Sequence, residues 1–267
     1  MRIEDDALLL RRIPFRDASW IVSLLTRRHG MLSAMARDAR RGPGEARAAL
    51  TGFHSLLVEV RGRGEHAMGT LGHVEIVRVR HRLPFMPVAA AAAQVLGEAV
   101  YRFVLPGDVR QEATHGVLES ALDALDAGRE PLVVAGSGLG QLLWLFGYGW
   151  RVDLCIGCGG DTHLSYFSTR RGAAVCAACG APYAGRLQGL NDAVRRTMAR
   201  RDWPLGLERL SVHDLSIFYR MVVARLVLTG GRSLATDVPF RRLALVTPVA
   251  ETSPMMKGMQ NDRQSFA

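Results

Sequence analysis

Four cysteines, arranged as two closely spaced pairs, constrain the fold of this chain more than any other feature. Cys155 and Cys158 form one C-x-x-C pair, Cys176 and Cys179 form the other, and 17 residues separate the pairs. A C-x-x-C turn directs two thiolates at one metal ion, and two such turns complete the tetrahedral four-sulfur shell of a structural zinc site. The spacing therefore predicts one structural Zn²⁺ held by all four cysteines.

The segment between the two pairs has the pattern of a β-hairpin. A glycine follows each pair, and small residues let the backbone bend toward sulfur. Residues 163–168 are typical of a strand, and Thr169–Gly172 is typical of a turn. We therefore predict a zinc ribbon over residues 150–185.

Other uses of the four cysteines agree less well with the sequence. Two disulfides are disfavoured in a cytoplasmic protein. A redox C-x-x-C needs only one pair, in a thioredoxin-like context that the sequence lacks. A catalytic zinc keeps an open coordination position, which four thiolates do not leave. An iron–sulfur cluster stays open as an alternative, although this spacing is less usual for one.

The bulk composition is that of a globular protein. The chain has 267 residues, of which 48% are hydrophobic and 22% charged. No apolar run approaches the roughly 18 residues that span a bilayer. The first residues are acidic, whereas a secretory signal begins with basic residues and continues with a long apolar run. We expect a cytoplasmic, nucleoid-associated protein.

The charge balance indicates a polyanionic partner. The formal net charge is +9, and every basic residue except Lys257 is an arginine. The arginine fork binds phosphate through two hydrogen bonds and stacks on bases. Biased codon usage would explain the choice of arginine over lysine, but not the excess over acidic residues. Nucleic acid is therefore the favoured partner.

The N-terminal part, residues 1–82, is predicted to be a small β-barrel that binds nucleic acid. It carries 15 arginines and nine acidic residues. Short alternating segments separated by glycine turns favour a barrel of five strands. These segments are residues 7–10, 18–26, 31–36, 56–61 and 71–77. Between the third and fourth strands, Arg37–Arg47 forms a long loop with four arginines, which we predict to contact phosphates.

A helical domain is predicted over residues 83–247, followed by a flexible tail over 248–267. Apolar residues recur at helical spacing in five segments. These are Met86–Val104, Gln111–Ala127, Pro131–Gly147, Leu190–Arg201 and Val212–Leu228. The glycine-rich residues 136–140 lack the lysine of a phosphate-binding loop, and we interpret them as a loop between helices.

The order of these features resembles the RecO family of recombination mediators. The resemblance is carried by the stretches Ile13–Ser19, Leu24–Gly30, Arg37–Arg41, Phe146–Tyr148 with Leu154–Gly159, and Arg220–Leu228 with Gly231–Leu234. Each is weak alone, but their order is specific and covers most of the chain. The sequence departs from the family at Asp38, which stands where the basic loop of the family has glycine.

The resemblance implies an α+β protein, with a five-stranded OB-fold barrel before an α-helical domain that contains the four-cysteine zinc ribbon. It implies a non-enzymatic protein that binds single- and double-stranded DNA and promotes annealing. With RecR, such proteins help to replace single-strand DNA-binding protein (SSB) by RecA. No catalytic residue is predicted. The predicted DNA-binding residues are Arg27, Arg28, Arg37, Arg40, Arg41, Arg47, Arg195 and Arg196.

Two other functions remain compatible with the sequence. An OB-fold with a zinc ribbon also suits an RNA-binding or translation-linked protein, and a zinc enzyme acting on nucleic acid would need an open ligand position. The candidate base-stacking residues are few, namely Phe15, Trp20 and Phe53. Each favours the core over the surface, so we expect phosphate contacts to dominate binding.

Overall fold

The structure is a computed structural model that describes residues 2–41, 44–62, 68–104, 108–201, 203–230 and 233–246. The predicted flexible tail lies outside these residues, as do Gly231 and Arg232 of the segment that resembles the RecO family. Among the helices described, none has the length and apolar character required to cross a membrane.

The N-terminal strands close into a barrel. They are β1 (Arg2–Phe15), β2 (Ser19–Thr26), β3 (Gly30–Ala36), β4 (Ser55–Arg61) and β5 (Gly69–Arg78), with the short helix α1 (Glu45–Ala49) between β3 and β4. The strand order is β1-β2-β3-β5-β4, and β4 pairs with β1 to close the sheet. Only the β3–β5 pair is parallel among these pairings. The OB-like barrel predicted from the sequence is therefore confirmed.

Strand β1 is much longer than its predicted core of four residues. Its first half pairs with β4, and its second half runs on beside β2. A bulge between Leu9 and Arg11 bends the strand between the part paired with β4 and the part paired only with β2. Charged residues on either side of residues 7–10 interrupt the apolar alternation, so the pattern reveals only the buried centre of the strand.

Helices build the second half of the molecule. After a 3₁₀ turn at Leu83–Phe85 come α2 (Pro87–Phe103), α3 (Gln111–Asp126), α4 (Pro131–Leu145), α5 (Ala177–Gly180), α6 (Asp192–Arg200), α7 (Leu205–Glu208), α8 (Val212–Gly230) and α9 (Asp237–Val246). The five predicted helices are present. The sequence pattern missed α9, which is short and has a proline in its first turn, but Phe240 within it is fully buried against Tyr219.

The glycine-rich run was interpreted wrongly as a loop, because it lies inside α4 and is buried. A Cβ at Gly138 would stand 2.7 Å from Leu96 Cδ2 of α2, and one at Gly140 would stand 3.0 Å from the Trp203 ring. These glycines therefore let α4 approach its neighbours closely. The cost of about 1 kcal/mol per helical glycine is offset by packing that a larger residue would prevent.

The four-cysteine segment contains a small antiparallel sheet. Its strands are β6 (Leu164–Ser168), β7 (Ala173–Cys176) and β8 (Gln188–Gly189), in the order β7-β6-β8. The hairpin predicted between the two cysteine pairs is the β6–β7 pair.

The barrel and the helices share buried contacts. Leu8 and Leu25 of the barrel belong to the same apolar core as α2, α3 and α4. Beside them, the Arg80 side chain is 1% exposed and donates to Asp123 Oδ1 from Nε at 2.9 Å and from Nη2 at 2.6 Å. Arg80 Nη1 also donates to the Phe53 carbonyl at 2.7 Å. A buried guanidinium with these partners fixes the barrel against α3.

Candidate metal centre and nucleic-acid interface

The four cysteine sulfurs lie together in one cluster. The Sγ atoms of Cys155, Cys158, Cys176 and Cys179 are all within 4.8 Å of one another, and all four cysteines are free of disulfides. The Cys158 and Cys176 sulfurs are 3.8 Å apart. Tetrahedral Zn–S bonds of about 2.3 Å place sulfurs about 3.8 Å apart. The donor set and spacing therefore fit a tetrahedral metal ion.

Backbone geometry explains why each cysteine pair is followed by glycine. Gly159 adopts a φ of +76°, in the left-handed region that favours glycine. Gly180 needs the space instead, because a Cβ there would lie 2.4 Å from the Tyr166 ring. Both turns therefore depend on the absence of a side chain.

The thiols of Cys155 and Cys179 differ in their affinity for a proton. The N–H groups of Cys176, Cys158 and Gly157 lower the pKa of the Cys155 thiol to about 6, against the opposing effect of burial. Hydrogen bonds to the sulfurs of Cys176, Cys158 and Cys155 raise the pKa of the Cys179 thiol to about 12. A divalent cation favours the thiolate form of every ligand, so a bound ion would oppose the effect of the neighbouring sulfurs on Cys179.

A group of arginines gathers at one end of the barrel. The Arg40 N–H donates to the Ala18 carbonyl at 2.8 Å, and Arg40 Nη1 donates to the Arg16 carbonyl at 3.2 Å. From the end of β1, Arg12 Nη1 donates to the Leu50 carbonyl just after α1 at 2.7 Å. We call this group the barrel-end cluster: Arg12, Arg16, Arg37, Arg40, Arg41 and Arg47.

The barrel-end cluster presents uncompensated positive charge. All six arginines are exposed, and within the described residues none has a carboxylate partner within 4.0 Å. Asp17 and Asp38 lie in the same turns and are also exposed. A concentration of guanidinium groups in this balance is the electrostatic footprint of a phosphate-binding surface.

The aromatic residues near the barrel-end cluster are covered. Trp20 is 8% exposed and lies under the Arg12 guanidinium, 4.9 Å from the ring centroid. Arg16 lies 5.3 Å from the Phe15 ring centroid, and Phe53 packs against the core of the helical part. This end of the barrel therefore offers guanidinium groups rather than open aromatic faces.

Asp38, which stands where the family's loop has glycine, adopts a backbone conformation that favours glycine. Asp38 has a φ of +54°, and its N–H faces Ser19 Oγ at 3.4 Å. Aspartate is one of the few other residues that adopt the left-handed region at modest cost. The turn is thus kept, but with one negative charge among the arginines.

The predicted residues Arg27 and Arg28 lie at the opposite end of β2 and β3, about 20 Å along the strands from the barrel-end cluster. Arg27 Nε is 3.2 Å from Glu112 of α3, and Arg28 Nε is 3.0 Å from Asp5. Burial raises the pKa of Asp5, but hydrogen bonds from His29 and Arg28 outweigh burial and hold the pKa below its usual value. Both arginines are therefore paired with acids where the barrel meets α3.

The predicted residues Arg195 and Arg196 lie on α6 in the helical part of the chain. Arg195 Nε is 3.2 Å from Asp192 of the same helix, and its side chain is 24% exposed. Arg196 is exposed and has no ion-pair partner among the described residues. The structure therefore divides the predicted arginines among three places.

Sequence reasoning missed Arg12 and Arg16 as members of the barrel-end cluster. Pro14 pairs with Trp20, and Trp20 pairs with Ala36, so the end of β1 lies beside the start of the Arg37 turn. Both arginines lie beyond the predicted strand segment 7–10 and far from the Arg37 turn in sequence, and only the pairing register brings them to it.

Comparison with known sequences identifies the family. A model of the recombination protein O N-terminal domain matches residues 1–80, and a model of its C-terminal domain matches residues 86–215. The chain belongs to the RecO family. Within this family, DNA repair protein RecO of Rubrobacter xylanophilus is 33% identical over 181 residues, which cover 64% of this chain and 69% of that protein.

Two further relatives carry the same name. DNA repair protein RecO of Anaeromyxobacter sp. (strain K) is 33% identical over 185 residues, which cover 67% of this chain and 70% of that protein. The protein of Methylococcus capsulatus is 34% identical over 148 residues, which cover 55% of this chain and 59% of that protein. The family resemblance seen in the sequence is therefore confirmed.

Proposed function

We propose that this RecO-family protein is a non-enzymatic recombination mediator that binds single- and double-stranded DNA and promotes annealing of complementary strands. The barrel-end cluster carries the proposal, because six exposed arginines, with no carboxylate partner among the described residues, meet at one end of an OB-like barrel. OB-folds bind single strands in basic grooves, with affinity that falls steeply as salt rises.

Annealing by such a surface needs no catalytic group. Two complementary strands repel each other through their phosphates, and bound guanidinium groups reduce that repulsion. Base pairing then drives the product, and the protein acts by bringing the strands together. Phosphate contacts carry no base information, so annealing is expected to depend little on sequence.

Binding across a salt series tests the proposal. Arg40→Ala with Arg41→Ala removes two phosphate contacts, which lowers the salt slope for single-stranded DNA by about 1.4. At 0.1 M salt the affinity then falls by about 25-fold. Fluorescence anisotropy of a labelled strand, with nucleotide hydrolysis measured in parallel, provides both readouts.

A matched control separates local contacts from net charge. Arg209 and Arg242 are exposed and lie outside the barrel, so Arg209→Ala with Arg242→Ala removes the same charge without touching the cluster. We expect this control to keep the parent salt slope. Equal slopes in all three proteins would overturn the proposed interface, and tighter binding of matched RNA would favour the RNA-binding alternative.

The metal is proposed to be a structural Zn²⁺ held by Cys155, Cys158, Cys176 and Cys179. Four thiolates in a tetrahedral arrangement leave no open position for a substrate, so the ion would hold the two C-x-x-C turns together. Metal analysis of the purified protein distinguishes zinc from an iron–sulfur cluster, which would also absorb visible light.

The partners proposed on family grounds are RecR, SSB and the RecA pathway, with the protein acting in the cytoplasm at the nucleoid. In this role it would help to load RecA onto DNA coated by SSB. A RecA-loading assay on SSB-coated DNA, with and without RecR, tests the role directly. Loading that is unaffected by this protein would remove the mediator function and leave annealing.

A further inference from the structure

The β6–β7 hairpin of the zinc ribbon presents a second group of arginines, far along the chain from the barrel-end cluster. Residues 169–172 form its turn. Arg170 and Arg171 are exposed in that turn, and Arg151 is exposed beside it. The Arg151 N–H donates to the Gly172 carbonyl at 2.8 Å, which fixes Arg151 against the turn.

A fourth arginine holds the turn from beneath. Arg225 of α8 donates from Nη1 to the Thr169 carbonyl at 3.0 Å and to the Arg170 carbonyl at 2.7 Å. Its Nε donates to the Tyr148 carbonyl at 3.2 Å. Gly172 has a φ of +63°, and a Cβ there would lie 2.9 Å from the Arg225 guanidinium. The shape of the turn is therefore fixed by the guanidinium that it covers.

None of the four arginines is ion-paired with a carboxylate in the described part of the chain. Within the described part of the chain, no acidic oxygen lies within 4.0 Å of the guanidinium groups of Arg151, Arg170, Arg171 or Arg225. Burial lowers the pKa of the Arg225 guanidinium, since no neighbouring anion stabilises its charge. Like charges on neighbouring residues of one turn repel each other, and a bound anion would lower that repulsion.

A partly exposed tyrosine lies next to the turn along the backbone that Arg225 binds. Tyr148 is 40% exposed, and its carbonyl is bound by the same Arg225 that holds the turn. Single-stranded nucleic acid is bound by basic surfaces that carry open aromatic faces, on which bases stack. At the barrel end, Trp20 and Phe15 lie beneath arginines, whereas no cation–π partner is found for Tyr148 among the described residues.

We propose that Tyr148, Arg151, Arg170, Arg171 and Arg225 form a second binding surface for single-stranded DNA, distinct from the barrel-end cluster. This inference rests on the proposed function and extends it, because annealing requires two strands to be held at once. Arg151, Arg170 and Arg171 bind phosphates, Tyr148 stacks on a base, and Arg225 positions the turn. The four-cysteine cluster lies at the other end of the same hairpin, where Leu164 pairs with Cys176, so the metal would brace the surface without contacting DNA.

The test uses the full-length, metal-loaded protein and two strands. The protein is first bound to one molar equivalent of an unlabelled, non-complementary strand, and a second, labelled strand is then added. Arg170→Ala with Arg171→Ala is expected to weaken second-strand binding by about 25-fold at 0.1 M salt and to slow annealing correspondingly. Tyr148→Ala is expected to weaken it by about tenfold and to abolish quenching of a 2-aminopurine base, whereas Tyr148→Phe keeps both.

Arg209→Ala with Arg242→Ala is again the matched control, since Arg209 lies beyond the opposite end of α8, about 20 Å from Arg225. The second surface would be overturned if the Arg170 and Arg171 variant anneals strands and binds the second strand as well as this control does. The barrel-end variant would still lose first-strand binding in that case, so the proposed function would stand. Poly-glutamate serves as a probe for an acidic protein partner. If the Arg170 and Arg171 variant loses binding to poly-glutamate but keeps DNA binding, the surface belongs to an acidic protein and the inference is overturned.

Discussion

Asp38 shows how one residue can satisfy the geometry of a turn and weaken its charge. Its φ of +54° is accessible to glycine, asparagine and aspartate, and the family's loop has glycine at this place. The aspartate preserves the turn that exposes Arg37, Arg40 and Arg41. It also places a carboxylate close to the phosphates that those arginines are proposed to bind.

Replacing Asp38 by asparagine isolates the effect of that charge. Asparagine adopts the left-handed region as readily, so the free energy of unfolding should change by less than about 0.5 kcal/mol. Asp38→Asn should strengthen binding of single-stranded DNA several-fold at low salt, because it removes repulsion between the carboxylate and phosphate. Anisotropy titrations at two salt concentrations measure the change. An affinity identical to that of the parent would show that DNA does not approach this turn.

The sequence predicted single residues best where their chemistry is local. The four cysteine sulfurs come together from two short turns in an arrangement that could hold a metal ion, so their spacing was sufficient to predict the cluster. The arginines were harder, because the partner that determines a role lies elsewhere in the chain. Arg27 has its carboxylate on α3, and Arg225 has its acceptors in the ribbon turn. No spacing rule reveals contacts of this kind.

At the scale of elements, alternation and helical periodicity located the barrel strands and the long helices. The glycines of α4 do not mark a turn, because glycine is typical of turns but also permits helices to pack closely. The ribbon hairpin was predicted as a link between cysteine pairs. The structure adds that one end of this hairpin holds the sulfurs and the other end holds an arginine turn.

Loss of one cysteine should therefore loosen the whole ribbon. Cys176→Ser should reduce the metal content from one ion per chain toward none and lower the free energy of unfolding by about 4 kcal/mol, since a structural metal contributes directly to folding. Metal analysis and urea unfolding measure the two effects. Ala177→Ser is the matched control, because Ala177 is exposed and lies next in the chain. A Cys176→Ser protein that keeps its metal would contradict the four-sulfur site.

At the scale of the molecule, the barrel and the helices are joined through Asp123. Two arginines of the barrel segment reach this carboxylate, and they differ in burial: the Arg80 side chain is 1% exposed, and that of Arg78 is 57% exposed. The sequence revealed neither pairing, since the residues are more than 40 positions apart. The buried member of the pair should carry most of the energy of the joint, because water screens the exposed one.

Paired substitutions test this difference. Arg80→Met should lower the free energy of unfolding by about 3 kcal/mol, because it leaves the Phe53 carbonyl and Asp123 without a buried donor. Arg78→Met removes the exposed partner of the same carboxylate and should cost less than about 1 kcal/mol. Urea unfolding of both variants provides the comparison. Equal losses would show that burial does not set the strength of this joint.

The length of β1 has a mechanical consequence. The strand begins in the pairing with β4, places Leu8 in the shared core, sets Arg11 over the Tyr101 ring of α2 and ends at the barrel-end cluster. A force applied at that end along the axis of β1 would load its hydrogen bonds to β2 and β4 in shear. Bonds loaded in shear bear the force together, whereas bonds that are peeled apart open one after another.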